Sequence, residues 1–225
     1  MSVIAIAHRG EPVHERENTL RSFAAAAALG ADMLELDLRR TRDGAIVVLH
    51  DQSLERLWGR DVSVGDLDWD EVAAVGEGEV RIPLLAEVLA HVTLPLMVDF
   101  TRREVVPGAL AAVRDAGALG RSLFVTGNVP ALRALRERSS EARIGLTWTE
   151  GADPPLDLLD ELGAEYWNPM FAFVTSKGVA AVHESGRSVS AWTVDAEADM
   201  ARMTEAGVDA IVSNQVAALV AFLRR

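Results

Sequence analysis

Short runs of β-branched and aliphatic residues at 3–7, 33–38, 45–49, 94–100, 122–125, 143–147, 165–168, 188–194 and 209–213 alternate with Ala- and Leu-rich stretches of helical period. Many of these runs are too continuously apolar to be half-solvated and read as strands buried on both faces. The helical pattern predicts helices over 19–29, 84–91, 106–116, 129–137, 155–162, 176–184, 196–206 and 216–223. Such alternation indicates parallel sheet with crossover helices. Eight or so strand–helix units favour a TIM (β/α)8 barrel over an open doubly wound sheet, at the short end of that barrel's length. No linker, composition shift or fixed-period repeat divides the chain, so residues 1–225 read as one domain.

One connection breaks the alternation. About six residues separate the second run from the third, too few for a parallel crossover, so these two strands are expected to form a hairpin. Asp43-Gly44 is a favoured two-residue turn. Placed there, it pairs Arg42 with Ala45, sets Asp37 opposite His50 and Glu35 near Gln52, and gathers Glu35, Asp37, Arg39, Val48 and His50 on one face.

Composition narrows the chemistry. The formal charge is −12, from 22 basic and 34 acidic residues. This argues against nucleic acid, whose binding needs a basic face, and against attraction to an acidic membrane surface. There is no cysteine, so any metal must sit on carboxylates, imidazoles or water. The opening residues lack a basic region and their apolar run stops after Ala7; with no apolar segment of spanning length, a cytoplasmic protein is expected. Of the basic residues only Lys177 is a lysine.

Glu35 and Asp37 lie two residues apart on one strand, about 7 Å at Cα, and face the same way. That spacing suits two oxygen ligands of a hard divalent cation. Met33, Leu34, Leu36 and Leu38 surround them in a run that reads as buried, and burying unpaired carboxylates is costly. His8-Arg9-Gly10 ends the first run and His50-Asp51 the third, where a barrel carries its catalytic groups. Two histidines flanking two carboxylates and an arginine suit acid–base work on an anionic, cation-bound group.

These motifs resemble the glycerophosphodiester phosphodiesterase family. The family's His-Arg-Gly, Pro-Glu-Asn-Thr, Gly-Ala-Asp, Glu-x-Asp, Thr-x-Asp-Gly and His-Asp motifs correspond to His8-Arg9-Gly10, Glu17-Asn18-Thr19, Gly30-Ala31-Asp32, Glu35-Leu36-Asp37, Thr41-Arg42-Asp43-Gly44 and His50-Asp51. The likeness is continuous over 4–56 and resumes at Ile82-Pro83-Leu84-Leu85, at Ala191-Trp192-Thr193-Val194-Asp195 and over 207–214; 57–81 and 100–140 match loosely. It implies metal-dependent hydrolysis of glycerophosphodiesters, such as glycerophosphocholine, to glycerol 3-phosphate and an alcohol. It also implies His8 and His50 as the acid–base pair, Arg9 on the phosphodiester oxygens, Glu35 and Asp37 as metal ligands, Trp192 against the glycerol, and one cation, Mg²⁺ or Ca²⁺.

Two departures stand out. The family's third metal ligand, a glutamate, falls on Asp99, one methylene shorter. The family's lysine two residues later falls on Thr101. Strand alternation puts Thr101 and Arg103 on the inner face with Asp99 and points Arg102 away, making Arg103 the expected substitute cation. Asn168 and Asn214 close strands and are able to donate to the site. Glu17 is expected to anchor its loop, with Asn18 and Thr19 capping the next helix; His14, His91 and His183 are expected at the surface. Two alternatives remain: a lysophospholipase D-like hydrolase, needing an apolar patch from Trp58 and Trp69 or Phe171 and Phe173, and a degenerate phosphodiester-binding barrel.

Overall fold

Eight parallel strands, Ile4–Ala7, Met33–Arg40, Leu96–Phe100, Ser122–Thr126, Arg143–Trp148, Tyr166–Pro169, Ser188–Ala191 and Ala210–Ser213, pair each with the next in a computed structural model that describes residues 2–225. The last pairs back with the first, Ile4 against Ala210 through Ala7 against Ser213, and closes the barrel. All eight expected helices are present, with ends within one or two residues of the sequence reading. The first, Leu20–Ala28, starts where Thr19 Oγ1 accepts from the Ser22 amide at 3.2 Å. Among the described residues no helix is long and apolar enough to cross a membrane.

Alternation along the strands builds two apolar layers. Leu34, Leu36 and Leu38 face the helices with Val98, Phe100 and Phe124. Ile6, Met33, Met97, Leu123, Val125 and Val212 fill the barrel interior. Each fully buried side chain of this size stabilises the fold by roughly 1.5–3 kcal/mol. The inner face changes character along each strand: Ile6 is followed two residues on by His8, Met33 by Glu35 and Asp37, and Met97 by Asp99. The inner layer is thus apolar at the base and charged at the carboxyl end.

The third run, Ile46–Val48, pairs antiparallel with Met33–Arg40 outside the ring, as the short connection requires. Its register differs from expectation by one residue. Leu38 faces Val48 and Arg40 faces Ile46. Thr41 N donates to Ala45 O at 3.0 Å and Gly44 N to Thr41 O at 3.1 Å, leaving a three-residue loop with Gly44 at φ +98. Asp43-Gly44 therefore serves a longer turn whose last residue is left-handed, not the two-residue turn. Asp43 is held by the Thr41 hydroxyl and the Trp69 amide, which fixes this choice. Leu49 N donates to Asp37 O at 2.9 Å, and His50 lies beyond the paired residues instead of opposite Asp37.

The loosely matching stretch after His50 forms two small ribbons and short helices over Glu55–Trp58 and Trp69–Ala73. They close over their own apolar cluster, which includes Leu49, Leu54, Val64, Val72 and Ile82. Trp58 and Trp69 pack against this cluster, and Phe171 against the main core.

Candidate active site

At the carboxyl end of the barrel a cavity of about 240 Å³ is lined by His8, Arg9, Glu35, Asp37, His50 and Asp99, with Thr101, Asn168 and Trp192 on its walls. Asp37 and Asp99 are register partners on adjacent strands, and Glu35 is one inward-facing position deeper. One oxygen from each of the three carboxylates lies within 4.8 Å of the others. Glu35 is 4% exposed and Asp37 7%.

Three carboxylates this close repel one another. Burial first, then Asp37 and Asp99, push the Glu35 carboxyl well above its usual range. Burial and the neighbouring Asp37 push Asp99 up to about 7. The compensation supplied by the chain is small. Arg9 N donates to Glu35 Oε2 at 3.0 Å, and Arg9 Nε lies 3.1 Å from Asp37 Oδ2 but off the hydrogen-bond direction, so that buried N–H has no acceptor. Fully ionised, the three carboxylates exceed the one adjacent arginine by two negative charges, and an all-oxygen donor set suits a hard divalent cation. The residues present fit such an ion.

Arg9 takes φ +60, a left-handed conformation uncommon outside glycine, and Gly10 follows at +84. The turn carries Arg9 across the end of the first strand, where Ser22 Oγ donates to Arg9 O at 2.9 Å and accepts from Glu11 N at 2.8 Å.

Each histidine is fixed through Nδ1. Asn214 Nδ2 donates to Asp195 Oδ2 at 2.8 Å, which turns the Asn214 oxygen toward His8; His8 Nδ1–H donates to it at 2.8 Å. His8 Nε2 is thereby left facing the carboxylates, 3.8 Å from Glu35 Oε2. Burial, followed by the charge of Arg9, holds the His8 pKa below its usual value. His50 Nδ1–H donates to Asp51 Oδ1 at 2.7 Å, and Arg56 Nε donates to Asp51 Oδ2 at 2.6 Å. Arg56 also binds Glu17 at 2.6 Å, and Glu17 accepts from Arg9 at 3.1 Å. One chain of ion pairs therefore links Asp37, Arg9, Glu17, Arg56, Asp51 and His50, and Glu17 anchors its loop as expected.

Trp192 sits on the cavity wall, its Nε1–H donating to Asn168 O at 2.9 Å. Asn168 spends its side chain on Thr147 and Ser190. His14, His91 and His183 lie outside the cavity lining.

The structure does not bring Arg103 to the cavity. The strand ends at Phe100, so alternation stops, and Arg103 opens an exposed turn of 3-10 helix. Arg39 lies beside the cavity instead: its Nη1 donates to the lining residue Thr101 at Oγ1, 2.9 Å away, and its Nη2 to the carbonyl of His50. No carboxylate comes within 4.0 Å of Arg39 among the described residues. Asn18 is a second omission. It does not cap the helix; at φ +58 it turns inward, donates to Asp37 Oδ2 at 2.8 Å and accepts from Asp37 N at 3.3 Å. Alternation had already put Arg39 on the face of Asp37, whereas nothing local marked Asn18.

Residues 8–218 match the profile of the glycerophosphoryl diester phosphodiesterase family. The chain belongs to this family. It is 29% identical over 241 residues to the glycerophosphodiester phosphodiesterase of Caldanaerobacter subterraneus subsp. tengcongensis, covering 100% of this chain and 99% of that protein. A phosphodiesterase of Oleispira antarctica, solved in complex with the product sn-glycerol-3-phosphate, superposes with a TM-score of 0.90 at 21% identity, over 100% and 98% of the two chains. The glycerophosphodiester phosphodiesterase of Thermotoga maritima gives 0.85 at 23% identity, over 98% of each. Family membership and geometry agree on the charged end of the barrel: the motifs that open the matched region supply His8, Arg9, Glu35, Asp37 and His50 to a single cavity, with Asn18 bonded to Asp37.

Proposed function

We propose that this protein hydrolyses glycerophosphodiesters to glycerol 3-phosphate and the corresponding alcohol, with Glu35, Asp37 and Asp99 holding one divalent cation, Mg²⁺ or Ca²⁺. The observation that carries the reading is the buried carboxylate trio, two charges short of neutral, beside two imidazoles each tethered through Nδ1. When bound, the cation supplies neutralisation of the phosphoryl oxygens.

The chain's own groups do the rest. Arg9 lines the cavity, and its guanidinium is suited to donate to a phosphoryl oxygen. Trp192 offers an apolar wall to the glycerol. His8 Nε2 accepts the proton of the attacking hydroxyl, from water or from the neighbouring glycerol hydroxyl, as the new P–O bond forms. His50, on the side of Arg39, gives its proton to the departing alkoxide as the old P–O bond breaks. With glycerol as the nucleophile, a cyclic phosphate forms first and water opens it. Arg39 stands beside Thr101 and supplies the cationic charge that Arg103 does not.

The lysophospholipase D-like reading needs an apolar patch at the mouth. Trp58, Trp69 and Phe171 are committed to packing, and Val13 and Leu29 are the exposed large hydrophobic side chains among the described residues. The test is glycerol 3-phosphate release from glycerophosphoethanolamine in Mg²⁺, in Ca²⁺ and in chelator, with His50→Ala as control. We expect cation-dependent release that falls at least about 10²-fold in the variant. Cation binding by folded protein without release under any condition overturns the enzyme reading in favour of a binding barrel.

A further inference from the structure

Beside the catalytic cavity lies another of about 330 Å³, between the hairpin, the turn that follows Phe100 and the segment around Val64. Four arginines line it, Arg39, Arg40, Arg42 and Arg102, against two acids, Asp66 and Glu104. On a chain of charge −12 this is a local excess of positive charge.

The four are not equally engaged. Arg42 is saturated by Asp68 at 2.7 Å, Glu71 at 3.3 Å and the Asp66 carbonyl at 2.7 Å. Arg102 is held loosely, 3.6 Å from Glu104 and 3.5 Å from Gln52. Arg39 and Arg40 have no carboxylate within 4.0 Å among the described residues. Two arginines without a carboxylate partner and a third weakly paired thus line one space. No aromatic residue lines it, so it offers no cage for a quaternary ammonium group.

Arg39 ties this space to the chemistry. Its guanidinium bonds Thr101 Oγ1 and His50 O, and both of those residues line the catalytic cavity. Gln52, two positions after His50, lines the second cavity. The two spaces therefore adjoin at Arg39 and the segment from His50 to Gln52.

We propose that this second cavity is the subsite for the alcohol portion of the diester and that it selects alcohols carrying an anionic group, a second phosphate above all. The inference rests on the phosphodiesterase reading above. Guanidinium is suited to the task because its fork donates to a phosphate bidentately, and Arg39 reaches the space from a strand while Arg102 reaches it from the turn after Phe100.

The test compares kcat/KM for three diesters by initial rates of glycerol 3-phosphate release. They are glycerophosphocholine, with a cationic alcohol; glycerophosphoglycerol, with a neutral one; and bis(glycerophospho)glycerol, whose alcohol bears a second phosphate, corrected for its two equivalent ends. We expect the phosphate-bearing alcohol to be favoured roughly tenfold over the neutral one and the cationic alcohol to be poorest. In Arg102→Gln and Arg40→Gln the ratio of anionic to neutral alcohol falls several-fold, with the circular dichroism melt reporting that each variant is folded. A wild-type preference for glycerophosphocholine, or a ratio that neither variant moves, overturns the subsite while leaving the phosphodiesterase reading intact. No glycerol 3-phosphate from any of the three overturns both.

Discussion

Replacing Asp99 by asparagine has consequences of opposite sign with and without cation. Without it, Asp99 is a carboxylate forced beside Asp37 and Glu35. Raising its pKa from 3.8 to about 7 is a shift of about three units, which at 1.36 kcal/mol per unit sets a ceiling of about 4 kcal/mol on the cost of ionising it in the folded chain. The residue keeps part of its surface open to the cavity and its neighbours relax, so we expect Asp99→Asn to recover about 1–2 kcal/mol at pH 8. For a chain of this size that is a rise of roughly 2–8 °C in Tm. A carboxyl whose folded-state pKa is raised contributes stability that is complete below 3.8 and lost as pH rises through about 7. Wild type in chelator therefore weakens relative to Asp99→Asn across that window, and the gap in Tm opens between pH 4 and pH 7.5.

Saturating cation reverses the order, because wild type gains RT ln(1 + [L]/Kd) and the variant, short of one ligand, gains less. The assay is a thermal melt of both proteins from pH 4 to 8.5, in chelator and in 10 mM Mg²⁺ or Ca²⁺, these being chosen as about saturating for an ordinary carboxylate site. A variant less stable than wild type in chelator at pH 8, or a gap between the two that does not change with pH, refutes the claim that the trio is electrostatically strained in wait for a cation.

Removing the amide in Asn18→Ala strips Asp37 of a partner at 2.8 Å; cation affinity by calorimetry should weaken about 10–100-fold, and an unchanged Kd contradicts the assigned role. Asp195→Asn frees Asn214 to turn and so unlocks the His8 ring; kcat is expected to fall about 10–100-fold with KM within threefold, and an intact kcat rules out tautomer control by this pair. At Gly10, φ is +84 and a Cβ would come within 2.2 Å of Ser22 Oγ and 2.7 Å of the Ser22 backbone; Gly10→Ala should cost about 2–4 kcal/mol in urea denaturation, and a loss under 0.5 kcal/mol means the turn is less constrained than drawn.

Which parts of this site were legible depends on how each residue is placed. Glu35 and Asp37 were readable because strand alternation fixes their common face once Leu34, Leu36 and Leu38 are assigned to the helix layer, whereas Asp99 was picked out only by its correspondence to the family's glutamate. The hairpin was readable from the length of its loop, but its register was not. Asp43-Gly44 satisfies either a two-residue turn or the left-handed end of a longer one, and contacts from Thr41 and from Trp69, 26 residues away, decide between them. Arg103 was misplaced by carrying alternation beyond Phe100, where the chain leaves the sheet.

Asn18 and Arg39 expose a different limit. Asn18 precedes a helix, where its residue type ordinarily caps, and Thr19 takes that task because the left-handed backbone turns Asn18 toward a strand 19 residues on. Arg39 was seen on the correct face, yet its contacts come from a chain reversal that returns His50 and from the end of the neighbouring parallel strand that brings Thr101 alongside. Periodicity tells which way a side chain points; only closure of the barrel tells what it meets. The cationic charge beside Thr101 comes from Arg39, on the neighbouring strand Met33–Arg40. A substitution at one motif position is therefore weak evidence of lost chemistry until the neighbouring strands have been searched for the same charge.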